Sequence, residues 1–169
     1  MDNLRQIFSG IYDQYIEKIY RFIFLKVSSQ PIAEDLTSET FLKGWEAFQN
    51  QSENEHKIEN IQAFLYQIAR NLVTDFYREK GKNQIVSAEN MRIIDPKANL
   101  EEKVEFNSDL EQIKAHLADL KEDYQEVIIL HYINDLSVKE IAKTINKPEG
   151  TIRVMIHRGL KELRGILSA

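Results

Sequence analysis

Residues 136–163 constrain the fold of this chain more than any other segment, because they predict two short helices joined by a tight turn. Ser137 and Glu140 form the S-x-x-E pattern of a capping box, so we expect the first helix to begin at Ser137. Asn146 is expected to end it, and Pro148 suits the first position of a second helix. The spacing therefore predicts a helix-turn-helix.

The second helix of this motif has two unlike faces. Apolar residues recur at three- and four-residue spacing and predict a buried stripe: Ile152, Ile156, Leu160, Leu163 and Leu167. The other face is basic: Arg153, His157, Arg158, Lys161 and Arg164. A helix-turn-helix directs the early outward residues of its second helix at base edges in the major groove, so the pattern favours DNA binding. A solvent-exposed amphipathic helix shows the same periodicity, which alone does not separate the two interpretations.

Composition narrows the class of protein. The chain has 169 residues, 43% of them hydrophobic and 29% charged, as expected for one or two small soluble domains. No apolar run approaches the ~20 residues that a bilayer crossing needs, so no membrane insertion is expected. The first residues lack the pattern of a secretory signal, and there is no cysteine for a disulfide or thiolate site. A cytoplasmic location is expected.

The net charge of −5 is unevenly distributed. Residues 147–165 carry five basic and two acidic groups, and residues 70–82 carry four basic and two acidic groups. Residues 83–126 instead hold eleven acidic and five basic groups. The two basic segments suit a phosphate backbone, whereas the acidic middle of the chain must face something else.

Helical periodicity predicts an all-α chain with two small helical domains. A stripe from Leu4 to Phe22, widened by Ile7, Tyr12 and Ile23, predicts the first core helix. A second helix is expected from near Pro31, and a third over residues 58–80. These three helices form a domain at residues 1–82.

Periodicity fails from Gly81 to Ala98, so residues 83–98 are expected to be a flexible linker. Residues 99–169 form the second domain, in which Asn99 and Glu102 are expected to cap one helix. Another helix over residues 121–132 precedes the helix-turn-helix.

Several blocks carry a family resemblance. The first domain contains IAEDLTSETFLKGW at residues 32–45 and FLYQIARNLVTD at residues 64–75. The second contains LSVKEIA at residues 136–142, PEGTIR at residues 148–153, and the pair His157 and Arg158. In this order the blocks resemble the extracytoplasmic-function sigma factors, which consist of a region 2 domain, a linker and a region 4 domain. The resemblance implies an alternative sigma factor that directs promoter-specific transcription initiation, with no enzymatic activity, cofactor or metal.

The resemblance also implies partners. The second helix is expected to dock on the clamp helices of the largest subunit of core RNA polymerase, through Asp35, Leu36, Thr37, Glu39 and Phe41. If polymerase supplies most of the affinity, a low net charge limits sequestration on other DNA. A solvated helix face is the alternative interpretation of Asp35 and Glu39. The resemblance further implies an anti-sigma factor as a partner.

The third helix matches the part of the family that reads and opens the minus-ten element. Asn71 matches the position nearest a flipped base, in a pocket that the loop at residues 55–60 would complete. The expected minus-ten residues are Arg70, Asn71, Asp75, Arg78, Lys80 and Lys82. The basic members would hold phosphates, and Asp75 would accept from a base amine or cap a neighbour. Tyr66, Phe76 and Tyr77 are read either as base-stacking or as core residues.

In region 4 the resemblance directs one face at the minus-thirty-five element. The expected contacts are Lys147, Gly150, Thr151, Arg153, Val154, His157 and Arg158. Lys147 and the amides of Gly150 and Thr151 would face phosphate. The chain departs from the family at Val154 and Met155, where a small polar residue and then a basic one are common. One DNA contact is therefore expected to be missing.

Two rival interpretations remain open. A self-sufficient helix-turn-helix repressor or activator would bind its operator without polymerase. A carboxylate-bridged metal enzyme would use the E-x-x-H pattern of Glu53 and His56, but such a site needs a second E-x-x-H, and none of the other histidines provides it.

Overall fold

The computed structural model describes residues 2–51, 58, 60–82 and 112–168. The chain divides into two units, Met1–Asp95 and Pro96–Ala169. All regular secondary structure in the described residues is helical, which confirms the predicted all-α class. The linker expected at residues 83–98 and the cap expected at Asn99 and Glu102 lie outside the described residues.

The first unit contains three helices: α1 (Asp2–Val27), α2 (Gln30–Asn50) and α3 (Ile61–Lys82). Each packs on the other two. Ser28, in the left-handed region at φ 58°, ends α1. Ser29 Oγ then accepts from the Ile32 N–H at 3.5 Å and begins α2. The third helix starts at Ile61, later than predicted, because Asn60 Oδ1 caps it by accepting from the Ala63 N–H at 3.0 Å.

The buried face of α1 matches the predicted apolar stripe along its middle, but residues at the two edges of the stripe are exposed. Ile19, Phe22 and Ile23 are fully buried, as predicted. Ile7 and Tyr12, expected to widen the buried stripe, are instead 47% and 43% exposed. Ile7 and Tyr12 lie on either side of the buried stripe that contains Phe8, Ile19 and Phe22. The packing of α2 and α3 therefore covers this stripe and leaves its edges in contact with solvent.

The described part of the second unit contains a helical stretch at residues 112–117, followed by α4 (Glu122–Ile128), α5 (Val138–Ile145) and α6 (Glu149–Ser168). Both α4 and α5 pack on α6. The helix predicted over residues 121–132 is not uniform, because α4 continues into a π-helical segment at Ile129–Ile133. There the Asn134 N–H donates to the Ile129 carbonyl at 3.0 Å, one residue further back than in an α-helix.

Within the described part of the chain, no helix is both long enough and apolar enough to span a bilayer.

Candidate nucleic-acid interface

The helix-turn-helix formed by α5 and α6 has the geometry that its sequence predicts, beginning with the capping box at the start of α5. The Glu140 N–H donates to Ser137 Oγ, and the Ser137 N–H donates to Glu140 Oε1, both at 3.1 Å. Asn146 ends α5 in the left-handed conformation at φ 57° and ψ 54°. Pro148 directly precedes α6, since its carbonyl accepts from the Ile152 N–H at 3.1 Å. The helix therefore begins at Glu149, one residue after the expected start.

The inner face of α6 fixes how the helix is presented. Ile152 and Ile156 are buried, as predicted, whereas Leu167 in the last turn is 58% exposed and does not belong to the core. A Cβ atom added at Gly159 would lie 3.2 Å from Tyr124 Cβ, so α4 and α6 approach closely there. Met155 is also buried. Met155 therefore offers no contact on the outer face, and the expected loss of one DNA contact near Val154 and Met155 stays a prediction.

The outer face of α6 gathers most of the predicted minus-thirty-five residues on one exposed surface. Gly150, Thr151, Arg153, Val154, His157 and Arg158 are all exposed, and Lys147 is exposed just before the helix. Lys161 and Arg164 extend the same surface towards the end of the helix, although neither was among the expected minus-thirty-five contacts. Prediction also missed Glu149, whose Oε1 lies 3.8 Å from Arg153 Nη2.

The outer face of α3 carries the predicted minus-ten residues. Asn71, Asp75, Arg78 and Lys80 are exposed and Arg70 is half-buried, while the side chain of Lys82 is outside the described residues. Arg78 Nη1 lies 3.7 Å from Asp75 Oδ1, so Asp75 pairs with a neighbour.

Thr74 was not predicted. It is exposed between Arg70 and Arg78 on the same face, and its hydroxyl donates to the Arg70 carbonyl at 2.9 Å.

The aromatic residues of α3 have structural contacts. Tyr66 is fully buried, and its ring meets Phe22 edge-on at 5.6 Å. The Tyr77 hydroxyl donates to the Lys26 carbonyl near the end of α1 and so ties α3 to α1. Phe76 is half-buried, with Lys80 Nζ 5.9 Å from its ring centroid. The core interpretation therefore fits Tyr66, and base stacking does not.

The loop before α3 lies largely outside the described residues, including Glu53, Glu55 and His56. Asn60, expected in the base pocket, already uses its Oδ1 as the cap of α3. No cluster of three or more potential metal-ligating side chains occurs among residues that the structure describes.

The exposed face of α2 forms a candidate protein-binding surface and corrects two predicted contacts. Asp35 and Glu39 are exposed, and Leu36 is half-buried. Thr37 and Phe41 are each 4% exposed, so neither can touch a partner directly. The Thr37 hydroxyl donates to the Ala33 carbonyl at 2.6 Å inside the unit.

Leu42 was missed by prediction. It is 57% exposed, one helical turn from Glu39 and two turns from Asp35. This α2 surface, defined by Asp35, Glu39, Leu42 and Glu46, combines one apolar side chain with three carboxylates.

Comparison with known proteins matches both units. The model of sigma-70 region 2 matches residues 11–83, and that of sigma-70 region 4 matches residues 110–163. SigW of Bacillus subtilis, an ECF RNA polymerase sigma factor, is 30% identical over 166 residues, covering 93% of this chain and 87% of that protein. The chain belongs to the extracytoplasmic-function (ECF) family of RNA polymerase sigma factors. Its two regions support promoter recognition and transcription initiation.

Another relative of this sigma factor is BldN of Streptomyces coelicolor, with 34% identity over 165 residues. That match covers 95% of the chain and 60% of BldN, so the chain spans less than two thirds of that relative. The fold is shared with two solved structures. CnrH in complex with the cytosolic domain of CnrY gives a TM-score of 0.71 at 18% identity, covering 97% of this chain and 89% of CnrH. RpoE of Bartonella quintana, in complex with the anti-sigma factor NepR, gives 0.69 at 24% identity, covering 97% and 98%.

Proposed function

We propose that this chain is an alternative sigma factor that binds core RNA polymerase through α2, reads the minus-thirty-five element through α6 and opens the minus-ten element through α3. In this proposal residues 1–82 serve polymerase and the minus-ten element, and residues 99–169 serve the minus-thirty-five element. The observation that carries it is the exposed basic face of α6, presented by a capped helix-turn-helix over buried Ile152 and Ile156.

At the minus-thirty-five element, the arginines of α6 supply sequence recognition. A guanidinium donates two parallel hydrogen bonds to guanine O6 and N7, a geometry open to both Arg153 and Arg158 on the exposed face. Val154, 47% exposed, offers a methyl contact to thymine. Lys147 and the amides at the start of α6 bind phosphate, because the first amides of a helix lack intrahelical partners.

At the minus-ten element, α3 binds an opened strand. The exposed Asn71 amide has both the donors and the acceptor needed to read the edge of an unstacked base. On binding DNA, Arg78 leaves its ion pair with Asp75 and binds a backbone phosphate instead. That exchange costs little, because the side chains of the pair are 66% and 61% exposed and such ion pairs contribute only ~0–1 kcal/mol.

At the polymerase, the α2 surface supplies an apolar anchor with a polar rim. An exposed leucine loses its contact with water on docking, and the carboxylate of Asp35 selects a basic partner surface. Glu39 adds to that selection by exchanging Lys43, whose Nζ lies 4.0 Å from Glu39 Oε1 in the free chain, for a basic group of the partner. The clamp helices of the largest subunit are the proposed partner. The chain therefore needs no strong DNA affinity of its own, in keeping with its net charge of −5.

The proposed function also implies where the protein acts and how it is regulated. It acts in the cytoplasm, where bacterial polymerase and chromosome are found, and it has no enzymatic activity of its own. We propose that an anti-sigma factor holds it inactive, as the solved complexes of CnrH with CnrY and of RpoE with NepR suggest for this fold.

A gel shift combined with in vitro transcription tests the proposal. The free chain and the chain with purified core polymerase are compared on a library of bacterial promoter fragments. We expect little specific binding by the free chain, and promoter-specific binding and transcripts once core polymerase is added. Tight selection of sites by the free chain would instead identify a self-sufficient repressor or activator. Absence of specific transcripts with core polymerase present would contradict the sigma function.

A further inference from the structure

Glu149 places a carboxylate on the surface that faces DNA in the proposed function. It is the first residue of α6, and its Oε1 lies 3.8 Å from Nη2 of Arg153, one turn further along. The two side chains are 48% and 65% exposed. Because phosphates repel a carboxylate, Glu149 weakens general affinity for DNA, and its position requires another explanation.

Two simpler explanations for a glutamate at position 149 are insufficient. An ion pair this exposed stabilises a free protein very little. An acidic residue in the first turn of a helix interacts well with the helix dipole, but an aspartate there would serve equally. Neither explains a side chain long enough to reach the guanidinium of Arg153.

The geometry points to Glu149 as a positioning residue that holds Arg153 for base recognition, an inference that rests on the proposed DNA-reading role of α6. A free arginine on this surface can bind the nearest phosphate, which carries no sequence information. A carboxylate beside Nη2 repels that phosphate and favours the orientation in which the guanidinium points to a base edge.

Arg153 has enough N–H donors to bind Glu149 and a guanine base at the same time. A guanidinium has five N–H groups, and one of the two on Nη2 can serve Glu149. The other N–H on Nη2 and one on Nη1 remain for guanine O6 and N7. The distance of 3.8 Å in the free chain is that of an ion pair rather than a hydrogen bond. Exclusion of water in the groove strengthens the attraction between the two groups.

Four variants separate the length of the side chain from its charge. Glu149→Gln removes the charge, and Glu149→Asp keeps it at the helix start but shortens the reach to Arg153. Glu162→Gln makes the same charge change on the opposite side of α6, where the side chain is half-buried. Arg153→Ala removes the base contact itself and identifies the base pair that Arg153 reads.

Each variant is assembled with purified bacterial core polymerase and used to select from promoter fragments randomised across the minus-thirty-five element. We expect Arg153→Ala to abolish the preference for guanine at one position. Both Glu149 variants should lower that preference by about threefold or more, since a good bidentate contact alone discriminates by about fivefold or more. Glu162→Gln should leave it unchanged, and only Glu149→Gln should bind random DNA more tightly than the parent protein.

The outcomes distinguish this inference from the proposed function. If either Glu149 variant keeps the full preference at the position that Arg153→Ala identifies, Glu149 does not position Arg153, while the reading role of α6 stands. If Arg153→Ala alters no preference, the proposed role of Arg153 in DNA reading is itself wrong, and the inference about Glu149 falls with it.

Discussion

Gly44 of α2 lies directly against Leu65 of α3. A Cβ atom added at residue 44 would be 2.9 Å from Leu65 Cδ2 and 3.7 Å from Phe8 Cζ. Leu65 is completely buried, so it has little room to move away. The absence of a side chain at Gly44 therefore sets how closely α2, which carries the proposed polymerase surface, approaches α3.

We expect Gly44→Val to lower the free energy of unfolding of the first unit by about 1–3 kcal/mol, because added methyl groups overpack this contact. Gly10→Ala is the matched control. Its added Cβ meets nothing within 4 Å, so the better helix propensity of alanine should raise stability by about 0.5–1 kcal/mol. Urea unfolding followed by the fluorescence of Trp45, the single tryptophan, reports on this unit. Equal stability of the two variants would contradict the close contact.

The capping box of α5 gives a second prediction. Ser137→Ala leaves the Glu140 N–H without its acceptor and should destabilise the second unit by about 1 kcal/mol. Lys139→Ala, on an exposed position of the same turn, should have little effect. Thermal unfolding followed by circular dichroism measures both variants, and the Trp45 fluorescence transition should stay unchanged. An effect of Lys139→Ala as large as that of Ser137→Ala would argue against the cap.

Asn134 gives a third prediction. Its side chain is completely buried, and neither its Oδ1 nor its Nδ2 has a hydrogen-bond partner among the described residues. Asn134→Leu keeps the number of non-hydrogen side-chain atoms and removes both polar groups, so we expect a gain of about 1 kcal/mol in the free energy of unfolding. Circular dichroism in urea measures the change. A loss of stability with this variant would mean that the amide is satisfied in solution.

Local chemistry explains which parts of this structure could be predicted. Ser137, Glu140 and Asn146 act within a few residues of themselves, so their sequence pattern was sufficient to predict the ends of α5. The burial of Ile19 and Phe22 followed from helical periodicity in the same way. The membership of the ECF family was predicted from the blocks in both domains and is confirmed by the matches to sigma-70 regions 2 and 4 together with the 30% identity to SigW.

Tertiary packing explains the errors. The family motif gives Thr37 and Phe41 a position but not a degree of exposure, and the neighbouring helices bury both. Leu42 was overlooked because an apolar residue in a helix is usually assigned to the core. The π-helical segment at Ile129–Ile133 carries no local sequence signal. The inward direction of Met155 does have one, since Met155 lies three residues after the buried Ile152.

The correction at Thr37 and the exposure of Leu42 lead to a fourth prediction. Leu42→Asp should weaken binding to core polymerase by tenfold or more, because it removes the apolar anchor of the α2 surface; a hot-spot side chain contributes about 2 kcal/mol or more. Thr37→Val, which changes only a buried hydroxyl bonded to the Ala33 carbonyl, should leave that affinity unchanged. Competition against a labelled sigma factor for core polymerase measures both. If Thr37→Val lost affinity and Leu42→Asp did not, Thr37 would be a polymerase contact, as the family resemblance implied.

The last prediction concerns the far end of α6. Lys161 and Arg164 are exposed on the same side of the helix as Arg153 and His157, but they lie about three and four turns beyond the start of the helix, where base edges are out of reach. We expect them to contact phosphate. Each substitution to alanine should then reduce the slope of log affinity against log salt by about 1, without changing the preferred minus-thirty-five sequence. Holoenzyme binding to promoter fragments over a range of salt concentrations measures the slope, with Arg5→Ala in α1 as the control for loss of one positive charge. A changed base preference would instead place these side chains in the groove, and an unchanged slope would remove them from the interface.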